Sequence, residues 1–153
     1  MNKVIIAALL TGAGAFSPAF AAENSNDSYL YRGECPSPAG GAMKVDKWSF
    51  YKCECTSAAA SFLNERGIPF TNFYRSVRWS NASNWISAAK LSGLKVDKTA
   101  KIGDIAIING NHASQIKGIS GDSISLREYN YSRRWDFSER TIKTNSVTGI
   151  IHF

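Results

Sequence analysis

Tyr51–Gly67, YKCECTSAAASFLNERG, is the stretch from which the rest of the chain is read. Cys55 stands where an extended segment gives way to a helix. Thr56, Ser57 and three alanines suit a helix start, and Gly67 stops it with Glu65 and Arg66 in the last turn. A thiol at that position faces unpaired backbone N–H groups and the positive end of the helix dipole, and both favour the nucleophilic thiolate. Along the helix Ala59, Phe62 and Leu63 share one apolar face, suited to packing on a sheet.

Toward the N-terminus, Lys47–Lys52 is aromatic (Trp48, Phe50, Tyr51) and is expected to be extended. Residues 22–46 are read as an arm: a polar, disordered stretch from Ala22 to Ser28, then a Pro/Gly-rich loop holding Cys35. Met1–Ala21 has the form of a signal peptide. Lys3 is its positive start, an apolar run follows, and Ala19-Phe20-Ala21 fits the cleavage rule. The apolar run is too short to span a bilayer. A secreted protein, periplasmic or extracellular, is expected. In that oxidising setting three cysteines imply one disulfide and one free thiol. Cys53 and Cys55 would lie about 7 Å apart in an extended segment, at the limit for bridging. The simplest allocation is a Cys35–Cys53 bond with Cys55 free.

The 153 residues suit one domain, read as 47–153 after the leader and arm. Hydrophobic residues at 44% and charged residues at 20% exclude a disordered chain. The net charge is +6, falling to +5 when Lys3 leaves with the leader. This suits attraction to an acidic polymer such as a cell wall. The compartment and the scattered basic residues argue against nucleic acid.

Toward the C-terminus, Ser83 reads as the N-cap of a second helix, Asn84–Leu91, ended by Gly93, with Trp85, Ile86, Ala89 and Leu91 as its apolar set. Trp79 and Trp85 are assigned to the core or a groove wall. From Ile102 the pattern turns to strands: Asp104–Ile108, a hairpin at Asn109-Gly110, His112–Ile119, a turn at Ser120-Gly121-Asp122, Ser123–Asn130, then Arg140–Lys143 and Val147–Phe153. Helices followed by an antiparallel sheet make the fold α+β.

A thiol nucleophile needs an imidazole in reach and a third group to orient it. The chain has two histidines, His112 and His152. A turn centred on Gly121 puts His112 across from Asn130 and Ser114 across from Glu128, so Glu128 and Asn130 share a face with His112. No metal-ligand spacing and no phosphate-binding glycine loop is present. Cys55, His112, Glu128 and Asn130 are therefore the candidate catalytic set, with no cofactor or metal required.

Five segments in order resemble the CHAP family of cysteine- and histidine-dependent amidohydrolases/peptidases. They are Glu54-Cys55-Thr56, Trp79–Trp85, Lys101–Ala106, Asn111-His112-Ala113 and Glu128-Tyr129-Asn130-Tyr131. The resemblance covers roughly two thirds of the chain, Tyr51 onward. It implies a papain-like fold and cleavage of peptidoglycan amide bonds, as an N-acetylmuramoyl-L-alanine amidase or an endopeptidase. Cys55 would be the nucleophile, His112 the general base and acid, and Glu128 or Asn130 the orienting residue. An immunity protein or a secretion machine as partner stays open. The chain departs from the family where Cys53-Glu54 replaces Gly-Gln before the nucleophile and where Ser57 and Ala58 replace aromatic residues. A glutamate cannot donate to an oxyanion as glutamine can. The rival expectation is an inactive CHAP-like binding module in the cell envelope.

Overall fold

Helix α1 spans Cys55–Glu65 and buries every side chain from Thr56 to Leu63. Its small residues let it lie close to its neighbours. The N–H groups of Arg66 and Gly67 bond back to the carbonyls of Leu63 and Asn64, and Gly67, at φ 80°, takes the left-handed conformation that ends helices. This is a computed structural model, and it describes residues 26–37 and 40–153. The expected leader, 1–21, lies outside the described residues.

Helix α2, Trp85–Leu91, follows a 3-10 turn at Ala82–Asn84. Six strands come next: β1 Val96–Asp97, β2 Ile105–Ile108, β3 His112–Ser120, β4 Ser123–Tyr129, β5 Phe137–Lys143 and β6 Gly149–Ile151. They form one sheet in the order β1-β6-β2-β3-β4-β5, with every pairing antiparallel. Both helices precede this sheet, so the architecture is α+β.

The central strand β2 is buried on both faces, and alternation sorts its side chains. Ile105 and Ile107, with Ala113 and Ile151, pack against Ala59, Ala60 and Leu63 of α1 and Trp85, Ala88 and Ala89 of α2. Ala106 and Ile108 join Ile116, Ile124, Leu126 and Ile150 on the other face. Phe70 knits the aromatic part of the core, with ring centroids 4.7 Å from Trp79 and 5.2 Å from Trp85. Both indoles are fully buried, and each N–H donates to a backbone carbonyl, of Tyr74 and Ser80 respectively.

The structure departs from the sequence reading at several points. Residues 47–52 are not a strand. The Asp46 carboxylate accepts from the N–H groups of Trp48 and Phe50, at 2.8 and 2.9 Å, and curls the chain into a turn with Ser49 at φ 70°. Leu91 is 77% exposed, because it ends α2 beyond the packed surface. The expected disorder up to Ser28 does not hold for residues 26–28. Asp27 accepts a 2.5 Å bond from Tyr129 Oη, and Ser28 Oγ one of 2.8 Å from Arg127. Strand β1 was not anticipated, being two residues long.

The Cys35–Cys53 disulfide is present, with Cα atoms 5.5 Å apart, and Cys55 is free. It ties the arm to the residue two before α1 across a separation of 18. The Cys35→Ala/Cys53→Ala variant should lose about 3 kcal/mol of stability. Urea denaturation of the variant beside the oxidised parent measures this.

Candidate active site

Helix α1 begins at the end of the sheet where β3 starts and β4 finishes. Its N-cap, Glu54, makes no side-chain cap, so the first-turn N–H groups are not consumed by it. A buried polar relay fixes the approach to the helix. Cys53, at φ 64°, donates its N–H to Tyr29 Oη at 2.8 Å. Tyr29 Oη lies 2.6 Å from Ser57 Oγ, and Ser57 donates to Asp46 at 2.5 Å. With the Ser57 proton given to Asp46, Tyr29 is the donor to Ser57. Burial pushes the Tyr29 phenol up to about 12, against its bonds to Cys53 and Ser57, so it stays neutral in this relay.

The β3–β4 hairpin brings the candidate base to its carboxylate. Ser120 pairs with Ser123, and an irregularity between Ile116 and Gly118 shifts the register. Beyond it Gln115 pairs with Arg127, which extrapolates to Ser114 opposite Glu128. Glu128 is 1% exposed, and its carboxylate is fully enclosed by donors. Oε2 accepts from Ser114 Oγ and lies 3.0 Å from His112 Nε2. Arg140, on β5, donates to Oε1 at 2.6 Å and to Oε2 at 3.4 Å. Burial works against this carboxylate's charge, yet the bonds from His112, Arg140 and Ser114 outweigh it and hold its pKa below the usual range. The Arg140 guanidinium also lies 3.5 Å from the ring centre of Tyr131, whose ring is 5.1 Å from His112. Sequence reasoning assigned no role to Arg140. Its signal was available: paired with Leu126, it is a diagonal neighbour of Glu128 on the same face.

With Nε2 on Glu128, Nδ1 is left unengaged among the described residues, and Cys55 is the ring's other electrostatic partner. Burial pulls the His112 pKa down, but the interactions with Cys55 and Glu128 override it and lift the pKa to about 9. The imidazole therefore keeps its proton through neutral pH.

Asn130 goes elsewhere. Strand β4 ends at Tyr129, and Asn130 turns away at φ 62°, so strand alternation no longer sets its direction. Its amide donates to Glu54 Oε2 at 2.5 Å, and its carbonyl oxygen accepts from the Trp135 N–H at 3.0 Å. The Trp135 indole donates to Glu54 Oε1 at 3.3 Å. Glu54, unexplained by sequence, is thus clamped by the β4–β5 loop. His152 sits between two carboxylates, Asp104 at 2.7 Å from Nδ1 and Asp97 at 2.8 Å from Nε2. Both its nitrogens are engaged, whereas His112 keeps one for the thiol.

Cys55 is half-buried and opens on a cavity of about 470 Å³ lined by Met43, Tyr51, Glu54, Asn81 and Asn111. A second cavity of about 280 Å³ shares Tyr51, Thr56 and Asn81 with it and continues the groove.

No protein-family model matches the chain. A protein described as a probable autolysin, LDP, of Staphylococcus aureus is 36% identical over 78 residues, 48% of this chain and 28% of that protein. The staphylococcal secretory antigen SsaA of the same species is 36% identical over 74 residues, 45% of this chain and 29% of the antigen. The chain spans less than a third of the length of these relatives. The solved N-acetylmuramoyl-L-alanine amidase of S. aureus shares the fold at a TM-score of 0.57 and 19% identity, over 66% of this chain and 30% of that one.

The His112 environment yields a direct titration. By NMR, the imidazole should lose its proton with a midpoint near 9 in the oxidised, reagent-free protein. Cys55→Ala and Glu128→Gln should each lower the midpoint. Together they should take it below the ordinary 6.5, since only the burial effect remains. The raised pKa also contributes stability that is complete below about pH 6.5 and is lost as pH rises through about 9.

Proposed function

We propose that the protein is a secreted peptidoglycan hydrolase of the CHAP type, with a papain-like fold, that cuts an amide bond of the wall through Cys55. One observation carries the reading: a free thiol at the start of α1 is coupled electrostatically to an imidazole whose Nε2 lies 3.0 Å from a buried, fully bonded carboxylate. The 36% identity to a probable autolysin and a secretory antigen supports the wall as substrate and secretion as the destination. Residues 1–21 would be the leader, 22–46 the arm and 47–153 the catalytic unit. Among the described residues no helix is long and apolar enough to cross a membrane.

In this mechanism His112 holds the thiol proton as imidazolium, and the Cys55 thiolate attacks the amide carbonyl carbon. The C–N bond breaks as His112 gives its proton to the leaving amine. Neutral His112 then takes a proton from water, whose oxygen attacks the thioester. A carboxylate product leaves, and the thiolate–imidazolium pair is restored. Glu128 orients the ring through Nε2 and stabilises its charge. The Cys55 backbone N–H, in the uncapped first turn of α1, is the oxyanion donor. Asn130 and Trp135 act one step back, holding the Glu54 carboxylate beside the nucleophile. This chemistry calls for no cofactor.

Purified mature protein should release new amines from isolated cell wall, and Cys55→Ala should fall to background. Equal release by both would refute the mechanism. The rate should decline above about pH 9, as His112 loses the proton that the leaving amine requires. Mass spectrometry of the released muropeptides separates cleavage at the sugar–alanine amide from cleavage within the stem or its cross-link.

A further inference from the structure

The groove beside Cys55 carries a charge that the mechanism does not use. Glu54 and Arg78 are the charged side chains lining its two cavities, among the described residues. Glu54 is satisfied by Asn130 and Trp135. The Arg78 guanidinium is exposed and has no side-chain partner among the described residues, although its backbone carbonyl accepts from Asn84 at 3.1 Å. Around it the cavity presents the side chains of Ser49, Ser80 and Asn81, likewise unpartnered there.

The backbone that carries Arg78 is held firmly despite the side chain's exposure. The next residue, Trp79, is fully buried, and its N–H bonds to the Asn72 carbonyl at 2.8 Å. The Asn72 side chain accepts from the Ser80 N–H at 2.6 Å and donates to the Ser49 carbonyl at 2.8 Å. Arg75, Ser76 and Ser80 take φ values of 52°, 62° and 53°, a costly backbone kept in place by these bonds. A guanidinium fork borne on a fixed backbone, among hydroxyls and an amide, suits bidentate capture of a carboxylate.

We propose that this second cavity is a carboxylate-reading subsite, in which Arg78 binds a free carboxylate of the peptide lying in the groove and so sets a preference for stem peptides bearing it over their carboxamide forms. The proposal rests on the hydrolase reading for its substrate class and on the cavity for its chemistry. The shared residues Tyr51, Thr56 and Asn81 join the subsite to the nucleophile's cavity, so one extended peptide occupies both.

The test is binding to Cys55→Ala protein, which cannot turn over. Two synthetic stem peptides, identical except that one has free side carboxylates and the other carboxamides, are titrated by calorimetry. The carboxylate form should bind about tenfold tighter, as a charge-assisted contact predicts. The difference should vanish in Cys55→Ala/Arg78→Gln and return in part with Cys55→Ala/Arg78→Lys. Circular dichroism checks that each variant is folded. Equal affinities, no measurable binding of either peptide, or a preference that survives Arg78→Gln would overturn the subsite. Failure of the wild-type protein to cut wall would sink the hydrolase reading without altering these affinities. An active enzyme indifferent to the carboxylate would sink the subsite alone.

Discussion

The buried carboxylate of Glu128 is the constraint on which the rest of the site depends. A charge taken out of water is tolerated only when donors replace the lost hydration. Here those donors come from the two strands that flank Glu128 on β4: His112 and Ser114 on β3, and Arg140 on β5. Strand register is therefore tied to site geometry. A slip of one residue would turn Glu128 to the other face and strand its partners. The irregularity between Ile116 and Gly118 belongs to the same logic, since it sets the pairing from which Ser114 and Glu128 come opposite.

The other half of the site is held by a different device. In the proposed mechanism the thiol meets the imidazole, which makes the start of α1 as critical as the hairpin. Three features converge there. The disulfide secures Cys53, the Tyr29–Ser57–Asp46 relay takes up its N–H and the first turn of the helix, and Asn130 with Trp135 holds Glu54. Tyr29 and Asp46 come from the arm and the segment just before the helix. The arm is thus part of what supports the helix start at Cys55. The relay is buried and fully paired, which favours one arrangement over several.

Much of this was legible from residues alone, and the failures have physical causes. The helix from Cys55 was readable because small residues and a closing glycine act locally. The hairpin was readable because period-2 alternation and two turn signals determine a register, and the histidine–glutamate diagonal follows from it. The Cys35–Cys53 bond followed from the poor reach between Cys53 and Cys55. Asn130 lies one residue past the end of β4, in a left-handed turn where strand alternation no longer sets direction, and so it meets Glu54. Residues 47–52 turn instead of extending because the Asp46 side chain, bonding to Trp48 and Phe50, outweighs their aromatic β-propensity.

By itself, the sequence determined the order and type of the main elements, the free thiol at a helix start and the shared strand face of His112 and Glu128, because each rests on local propensity, periodicity or counting. The tertiary structure decided the partners. It gave Glu128 to His112, Asn130 to Glu54, both aspartates to His152, Arg140 to the buried carboxylate and Arg78 to the groove. Which polar groups meet depends on desolvation and donor supply across segments distant in sequence, and these exist only once the sheet and helix have closed on each other.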